Sequence, residues 1–183
     1  MSLFKTDIKK YKRYSGNKSA IILLLTTQGL WALFVYRASN AVYRSKWPKI
    51  IKKILLVFGI MWQKWIEIIT GISLPYAASI GSGFYIGHFG NIIINASAVI
   101  GNNCNISQGV TIGVSGKSMK RGVPVIGNNV YIGSNSVIAG KITVGDNVVV
   151  GANTFVNKDI EPNVTVLGVP AKKISDNGSV DYI

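Results

Sequence analysis

The chain has 183 residues, of which 48% are hydrophobic, and a formal net charge of +13 at pH 7. This composition excludes a disordered protein, and the length suits one solenoid domain with a smaller helical region. The single cysteine, Cys104, excludes an intramolecular disulfide framework and a thiolate metal cluster. No secretory signal pattern stands at the N-terminus. The sequence therefore predicts a cytoplasmic protein that binds no metal.

The positive charge is concentrated in the N-terminal part of the chain. Residues 1–75 hold 13 Lys and Arg against Asp7 and Glu67, which gives 13 − 2 = +11, whereas the remaining residues give 7 − 5 = +2. The basic side chains are mixed with Leu, Ile, Trp and Phe, a pattern that suits an anionic membrane surface better than nucleic acid. No nucleic-acid-binding motif accompanies them, so we expect no nucleic acid partner.

Residues 1–72 are predicted to form two or three helices. The apolar stretch of residues 20–36 is short and polar for a membrane span, and residues 50–69 contain too many charges. Pro48 suits the first turn of the second helix, and Gly71 is expected to end it. Two interpretations stay open. The helices either cap the solenoid and pack in an oligomer, or they hold the chain peripherally at the inner face of the plasma membrane.

From residue 73 onward a branched apolar residue returns every six positions, usually followed by glycine. The repeat runs through Ile80, Ile86, Ile100, Ile106, Ile112, Ile126, Ile132, Ile138, Val144, Val150 and Val156. A period of six predicts a parallel β-helix, in which each short strand supplies an inward side chain and each corner is tight. We expect a mainly β fold over residues 73–170, with residues 171–183 as a tail.

The repeat is interrupted twice. Its register slips by two residues between Ile92 and Ile100, and the spacing from Ile112 to Ile126 is fourteen residues instead of six. Residues 113–125 therefore contain an excursion of about eight residues. Loops on a rigid scaffold are favoured binding sites, so we expect this cationic loop to contribute to function.

His88 is the only histidine of the chain and stands in one of the early coils. Imidazole is the side chain most often used as a general base near neutral pH. A lone histidine is more often structural than catalytic, and the sequence offers no nucleophile elbow, metal cluster or activated cysteine beside it. His88 is the single candidate for acid–base chemistry.

Several segments together resemble the serine acetyltransferase and polysaccharide (colanic-acid-type) O-acetyltransferase branch of the hexapeptide-repeat acyltransferases. They are the repeat itself, the segment around His88, and residues 28–33, 36–38, 108–113, 116–118 and 168–172. The resemblance implies a left-handed parallel β-helix with an N-terminal α-helical region, a homotrimer, and acetyl-CoA bound between neighbouring subunits.

The resemblance also implies roles for individual residues. His88 matches the histidine that deprotonates the acceptor hydroxyl, and backbone N–H groups near Gly113 would stabilise the oxyanion. The positions that match the cofactor-binding site are Gly113, Gly133, Ser134 and Ala152 for the pantetheine arm and Lys172 or Lys173 for the phosphates. Corner geometry alone is the alternative explanation for the small residues.

The chain departs from the serine acetyltransferase pattern at four positions. Val123, preceded by Gly122, replaces a second histidine preceded by arginine; Gly87 replaces an aspartate, Ser73 an acid and Ala96 a glutamate. A zwitterionic acceptor needs charged partners that such a pocket lacks.

An uncharged polyol suits amide side chains, so Asn91, Asn95 and Gln108 are predicted to bind the acceptor or orient His88. The sequence therefore predicts an acetyl-CoA-dependent O-acetyltransferase that acts on a sugar hydroxyl in capsule, exopolysaccharide or lipopolysaccharide biosynthesis. The alternative is a serine O-acetyltransferase of cysteine biosynthesis, and a silent trimeric scaffold is a third.

Overall fold

The computed structural model describes residues 2–183 and contains an α-helical region followed by a parallel β-helix. The helices are α1 (Ser2–Tyr14), α2 (Ala20–Thr26), α3 (Gln28–Arg44) and α4 (Lys49–Thr70). The strands are β1 (Ile72–Ser73), β2 (Ser79–Ile80), β3 (Tyr85–Ile86), β4 (Ile92–Ile94), β5 (Val99–Ile100), β6 (Asn105–Ile106), β7 (Thr111–Gly113), β8 (Val125–Ile126), β9 (Tyr131–Ile132), β10 (Val137–Ala139), β11 (Thr143–Val144), β12 (Val149–Val150), β13 (Phe155–Val156), β14 (Thr165–Leu167) and β15 (Lys172–Ser175).

The strands stack into three sheets that form the faces of the solenoid. Sheet A has the order β1-β4-β7-β10-β13, sheet B the order β11-β8-β5-β2, and sheet C the order β15-β14-β12-β9-β6-β3. All neighbours pair in parallel except β15, which turns back antiparallel on β14. The predicted tail therefore begins with a strand that closes the C-terminal end of sheet C.

The six-residue repeat marks the solenoid core. All eleven repeat positions are buried, with exposed fractions between 0 and 5%. A second inward position lies two residues before many of them, and the repeat alone did not reveal it. It is occupied by Ala78, Phe84, Ala98, Cys104, Val110, Val130 and Val148. The predicted hexapeptide β-helix is confirmed as a parallel solenoid.

Cys104 fills one of these second positions. Burial raises the pKa of its thiol to about 11, and its Sγ lies 3.2 Å from the carbonyl oxygen of Gly127. Because the thiolate is the reactive form, we expect an aromatic disulfide reagent to label the folded chain at least about 100-fold more slowly than the unfolded chain. Rapid labelling without denaturant would contradict the buried position.

The ladder registers locate both interruptions of the repeat. Ile112 pairs with Ile138, 26 residues on, whereas Ile138 pairs with Val156, 18 residues on. The difference of eight residues confirms the predicted excursion in residues 113–125. The two-residue slip lies earlier than expected. Six residues separate Ile86 from Ile93, but only four separate Ile106 from Thr111, the ladder partner of Ile93.

The helical region differs from the prediction in its number of helices and in their bounds. The stretch of residues 20–36 is broken at Thr27, which joins α2 to α3 at a bend of 96°, and α3 continues to Arg44. Helix α1 was not predicted. Helix α4 matches the second predicted helix, with Pro48 just before its first residue and Gly71 in the left-handed conformation at its end.

The helices cap the first coil of the solenoid. The hydroxyl of Tyr11 donates to the carbonyl oxygen of Ile86 and accepts from its N–H, at 3.1 and 2.9 Å. The hydroxyl of Tyr36 donates to Ala78 O at 2.9 Å and accepts from Ile80 N at 3.0 Å. These backbone groups face away from the next coil, so only the helices satisfy them. The helices therefore cap the solenoid, as the first interpretation predicts, and their packing in an oligomer stays a prediction.

A buried ion pair completes this cap. Arg37 donates to both carboxylate oxygens of Asp7, at 2.8 and 3.1 Å, and also to the carbonyl oxygens of Ile80 and Gly81, at 2.6 and 2.5 Å. Asp7 in turn accepts the N–H of Phe84 at 3.0 Å. The pair joins α1 and α3 to the edges of sheets B and C.

Asparagines build the corner between sheets B and C. Asn103, Asn129, Asn147 and Asn163 occupy the left-handed region, which asparagine tolerates better than most residues. Each side-chain amide donates to the next at 2.8–2.9 Å, which forms a ladder along the solenoid. The ladder fixes the stacking register of the coils.

Within residues 2–183, no single helix has both the length and the apolar composition to cross a membrane. The bent pair of α2 and α3 passes the same test only when the two helices are taken together.

Candidate active site

His88 lies at the corner between sheets C and A, in residues 87–91. The corresponding corners of the later coils are residues 107–110, 133–136 and 151–154, and we call this stack the histidine column. Counted to the first residue that pairs with β7, the corner of His88 is two residues longer than its counterpart, because six residues lie between Ile86 and Ile93 and four between Ile106 and Thr111. The side chain is exposed, and within the described residues the imidazole makes no hydrogen bond. It is therefore free to meet an acceptor.

Gln108 occupies the next level of the histidine column. The N–H of Gly109 donates to the carbonyl oxygen of Gly90 at 2.9 Å, which brings the corner of Gln108 against that of His88. The side-chain Oε1 of Gln108 is buried and has no partner in the described part of the chain. An unpaired buried oxygen is costly, and a bound hydroxyl or N–H would satisfy it. Gln108 therefore stays a predicted acceptor-binding or orienting residue.

Asn91 and Asn95 lie in different places. Asn91 ends the corner of His88 with a positive φ of 52°, so its conformation serves the turn. Asn95 lies at the opposite edge of sheet A, where its Oδ1 accepts the N–H of Ser97 at 2.9 Å. Within one chain Asn95 does not orient the imidazole, and the prediction that grouped it with His88 needs this correction.

Three of the predicted cofactor positions belong to the histidine column. The N–H of Asn135 donates to Gln108 O at 2.9 Å, and the N–H of Asn153 donates to Ser134 O at 2.8 Å, so the corners containing Gly133, Ser134 and Ala152 stack above Gln108. A Cβ at Gly133 would lie 2.6 Å from the backbone nitrogen of Ala152. Close stacking thus requires Gly133, whatever else binds there.

Gly113 and the loop after it lie away from His88. The N–H of Asn95 donates to Ile112 O at 2.8 Å, which places Gly113 beside Asn95 at the far edge of sheet A. The strand from Ile92 to Asn95 alone spans about 10 Å at 3.3 Å per residue. The loop returns to the solenoid through a bridge between Ser115 and Gly122. One chain does not bring this loop to its own His88.

Lys172 and Lys173 follow the last level of the histidine column. The N–H of Ala171 donates to Phe155 O at 2.8 Å, so the turn before β15 rests on sheet A. Lys172 is exposed beside Leu167. Lys173 instead forms ion pairs with Asp176, at 2.6 Å, and Glu161, at 3.9 Å. Of the two, Lys172 is the lysine available to a phosphate.

Glu67 is a carboxylate beside this region to which the sequence assigned no role. Its Oε1 accepts from Ser73 Oγ at 2.7 Å, on the outer side of β1. Burial raises the pKa of Glu67, but hydrogen bonds from Lys64, Ser73 and Gln63 together hold that pKa below its usual value. Gly71 O accepts the N–H of Ile92 at 2.9 Å, so this end of α4 adjoins the histidine corner. An ionised carboxylate thus lies next to Ser73.

Comparison with known proteins identifies the family. Residues 124–158 match the family model "Bacterial transferase hexapeptide (six repeats)". The serine acetyltransferase of Bacillus pumilus is 32% identical over 180 residues, which cover 96% of this chain and 78% of that enzyme. The chain belongs to the serine acetyltransferase family.

Solved serine acetyltransferases share the fold over nearly the whole chain. The Brucella abortus enzyme in complex with coenzyme A superimposes with a TM-score of 0.83 at 29% identity, covering 97% of this chain and 68% of that one. The Neisseria gonorrhoeae enzyme in complex with serine gives a TM-score of 0.81 at 30% identity, covering 95% and 68%. This serine acetyltransferase homologue thus spans about two thirds of the length of these structures.

These comparisons confirm the predicted enzyme class, an acetyltransferase with acetyl-CoA as donor. They confirm the serine acetyltransferase part of the predicted resemblance and correct its polysaccharide O-acetyltransferase part, because the matched relatives are serine acetyltransferases. They favour the serine alternative over the sugar, and they lend no support to the predicted membrane contact. Four departures from the family pattern favoured a sugar acceptor, but the sequence and the fold resemble serine acetyltransferases over nearly the whole chain.

Proposed function

We propose that the chain is a homotrimeric left-handed β-helix that transfers an acetyl group from acetyl-CoA to the hydroxyl of serine, with His88 as general base. The observation that carries this proposal is the position of His88, an unpaired and exposed imidazole at the base of the histidine column. Gln108, Ser134 and Ala152 continue this column toward Lys172, which gives the cofactor a surface of small side chains that ends at a cation.

The chemistry requires one base and one binding cleft. His88 removes the proton from the acceptor hydroxyl, whose oxygen attacks the thioester carbonyl carbon. The C–S bond then breaks, and the imidazolium returns its proton to the CoA sulfur. Holding both reactants in one cleft supplies much of the rate. Backbone N–H groups of the loop after Gly113 would stabilise the oxyanion in the site that a second subunit completes.

The separation of His88 from the loop supports an assembly of identical subunits. The two lie at opposite edges of sheet A, so they meet only when the His88 edge of one subunit adjoins the loop edge of the next. A head-to-tail ring closes this contact, and three subunits give three equal sites. Asn95 and Gly113 would then serve the site of a neighbour.

Glu67 supports serine as the acceptor. The family pattern has an acid where Ser73 stands, and here Ser73 donates to the carboxylate of Glu67. Glu67 of α4 therefore supplies a negative charge beside Ser73, where the strand itself has no acidic residue. Because this carboxylate has a lowered pKa, it is ionised at neutral pH and suits the ammonium group of serine.

A sugar hydroxyl is the second candidate acceptor. The observation that favours it is Val123, which stands where serine acetyltransferases have a histidine preceded by arginine, and which is partly buried against the core. The loop around it offers no histidine, and the carboxylate of serine must therefore find another partner, such as Arg121 of the same loop. An acceptor without a carboxylate would need no such partner.

The deciding experiment measures CoA release with L-serine and with a panel of neutral sugars and nucleotide sugars. We expect turnover with serine, and we expect Glu67→Gln to lower kcat/KM for serine about 10- to 100-fold, since a hydrogen bond to a charged group is lost. Lys64→Gln, which removes a partner of Glu67 but keeps the carboxylate, is the matched control. Turnover of a sugar with none of serine would overturn the proposed acceptor.

A further inference from the structure

Helix α4 presents a broad apolar face that nothing in the described chain covers. Six large side chains recur along it at helical spacing and are 53–77% exposed, namely Ile50, Ile54, Phe58, Met61, Trp65 and Ile68. At 100° per residue they fall within one stripe, and Ile51, Leu55, Trp62 and Ile69 widen it on one side. A monomeric soluble protein rarely exposes a continuous apolar surface of this length.

Lysines line the other border of this face. Lys49, Lys53 and Lys64 lie between the apolar stripe and the side of α4 that packs on α3, and all three are exposed. Trp47 stands just before the helix and is 54% exposed. An apolar face bordered by lysines and flanked by tryptophan is typical of a helix that lies flat in a lipid interface.

The apolar surface continues onto α2. Ile21 and Leu25 are 72% and 71% exposed there. Between the helices lies a cavity of about 400 Å³ lined only by apolar and aromatic side chains, including Trp31 and Trp62. Leu24 of α2 and Trp62 of α4 both line this cavity, so it adjoins both helices.

The apolar face of α4 could be covered by a lipid bilayer or by a second copy of the chain, and the charges around the face distinguish the two. The only acids of residues 1–75 are Asp7, which is buried against Arg37, and Glu67, which Lys64 neutralises. Two copies of this surface that met face to face would therefore bring Lys49 and Lys53 of each copy together without compensating acids, and like charges oppose such contact. Anionic headgroups offer the complementary charge beside Lys49 and Lys53.

We propose that the face of α4 docks on an anionic lipid bilayer. The helix lies in the membrane plane with its apolar stripe below the headgroups and with Lys49 and Lys53 at the lipid phosphates. Its 22 residues make a contact about 33 Å long at 1.5 Å per residue. The apolar stripe lies on the side of α4 that faces away from α3, and α4 meets the solenoid only at its C-terminal end, through Gly71 and the bond from Ser73 to Glu67, so the solenoid stays in water. This docking is independent of which hydroxyl the enzyme acetylates.

The test is flotation of the full-length chain with vesicles of phosphatidylcholine alone or with phosphatidylglycerol added. We expect binding to the anionic vesicles that weakens with salt, and little binding to the neutral ones. The double variant Lys49→Gln/Lys53→Gln should lower the partition coefficient about 30-fold, as two headgroup contacts are lost. Phe58→Glu/Trp65→Glu should abolish binding, and Val180→Glu, at an 84% exposed position on the solenoid side, should leave it unchanged.

Light scattering of the same variants without vesicles tests whether a second copy of the chain covers the face of α4 instead. An assembly that shrinks in Phe58→Glu/Trp65→Glu, while the intact chain fails to float, would assign the face to a second copy and overturn the proposal. Failure of the lysine variant to weaken binding would also overturn it. Because the lysines are exposed, their replacement keeps the fold, which circular dichroism checks.

Discussion

We expect the His88→Ala variant to lose acetyl transfer by about 10²- to 10⁴-fold in kcat, the usual contribution of a positioned general base. The described chain contains no other imidazole, so no side chain of this type can substitute. Steady-state CoA release with saturating acceptor measures the change. Because His88 is exposed and makes no hydrogen bond within residues 2–183, its removal should not alter the thermal unfolding curve.

Phe89→Ala is the matched control for this variant. Phe89 lies in the same corner and is 53% exposed, so its truncation perturbs the loop without removing the base. We expect its kcat to fall far less than that of His88→Ala. CoA affinity, measured by calorimetry, should stay the same in both variants. A His88→Ala enzyme with an unchanged rate would remove His88 from the mechanism and leave the scaffold interpretation.

The second large effect is expected at the cap, where Asp7→Asn should destabilise the fold by about 3–5 kcal/mol, because it leaves Arg37 buried without its counter-ion. For a chain of this size that corresponds to a fall in Tm of roughly 6–20 °C. Differential scanning calorimetry or chemical denaturation measures it. Lys173→Gln is the control, since Lys173 forms only exposed ion pairs, and its melting curve should not move.

The double variant Asp7→Leu/Arg37→Leu separates the ion pair from the capping function. If charge balance alone mattered, apolar replacement of both partners would restore stability. We expect no such recovery, since the carbonyl oxygens of Ile80 and Gly81 and the N–H of Phe84 would lose their partners. Full recovery would show that the helices do not satisfy the first coil through these side chains.

The sequence predicted those features that repeat or interrupt a repeat. The spacing of Ile80, Ile86 and the later repeat positions predicted which residues form the core, because every coil of a solenoid needs an inward apolar side chain at the same position. The excursion of eight residues followed from one spacing of fourteen. His88 stood out as the only imidazole. These predictions needed no knowledge of contacts between distant parts of the chain.

Other features depend on such contacts and could not be read from the local pattern. Helix α1 was missed because its residues are strongly polar, and only the tertiary contacts of Asp7 and Tyr11 give it a buried side. Glu67 is 21 residues from His88, and its bond to Ser73 arises from the direction in which α4 enters the first coil. The departure at Ser73 favoured a sugar acceptor, because the sequence shows neither that Ser73 binds a carboxylate nor which one it binds.

The cap also determines which pieces of the chain can exist alone. Without the side chains of Tyr11, Tyr36, Asp7 and Arg37, the first coil would present bare strand edges of sheets B and C to solvent. Bare edges recruit further strands and lead to fibrous aggregation. We therefore expect residues 73–183 alone to aggregate, so that the boundary near residue 72 would separate two architectures but not two independently folding domains.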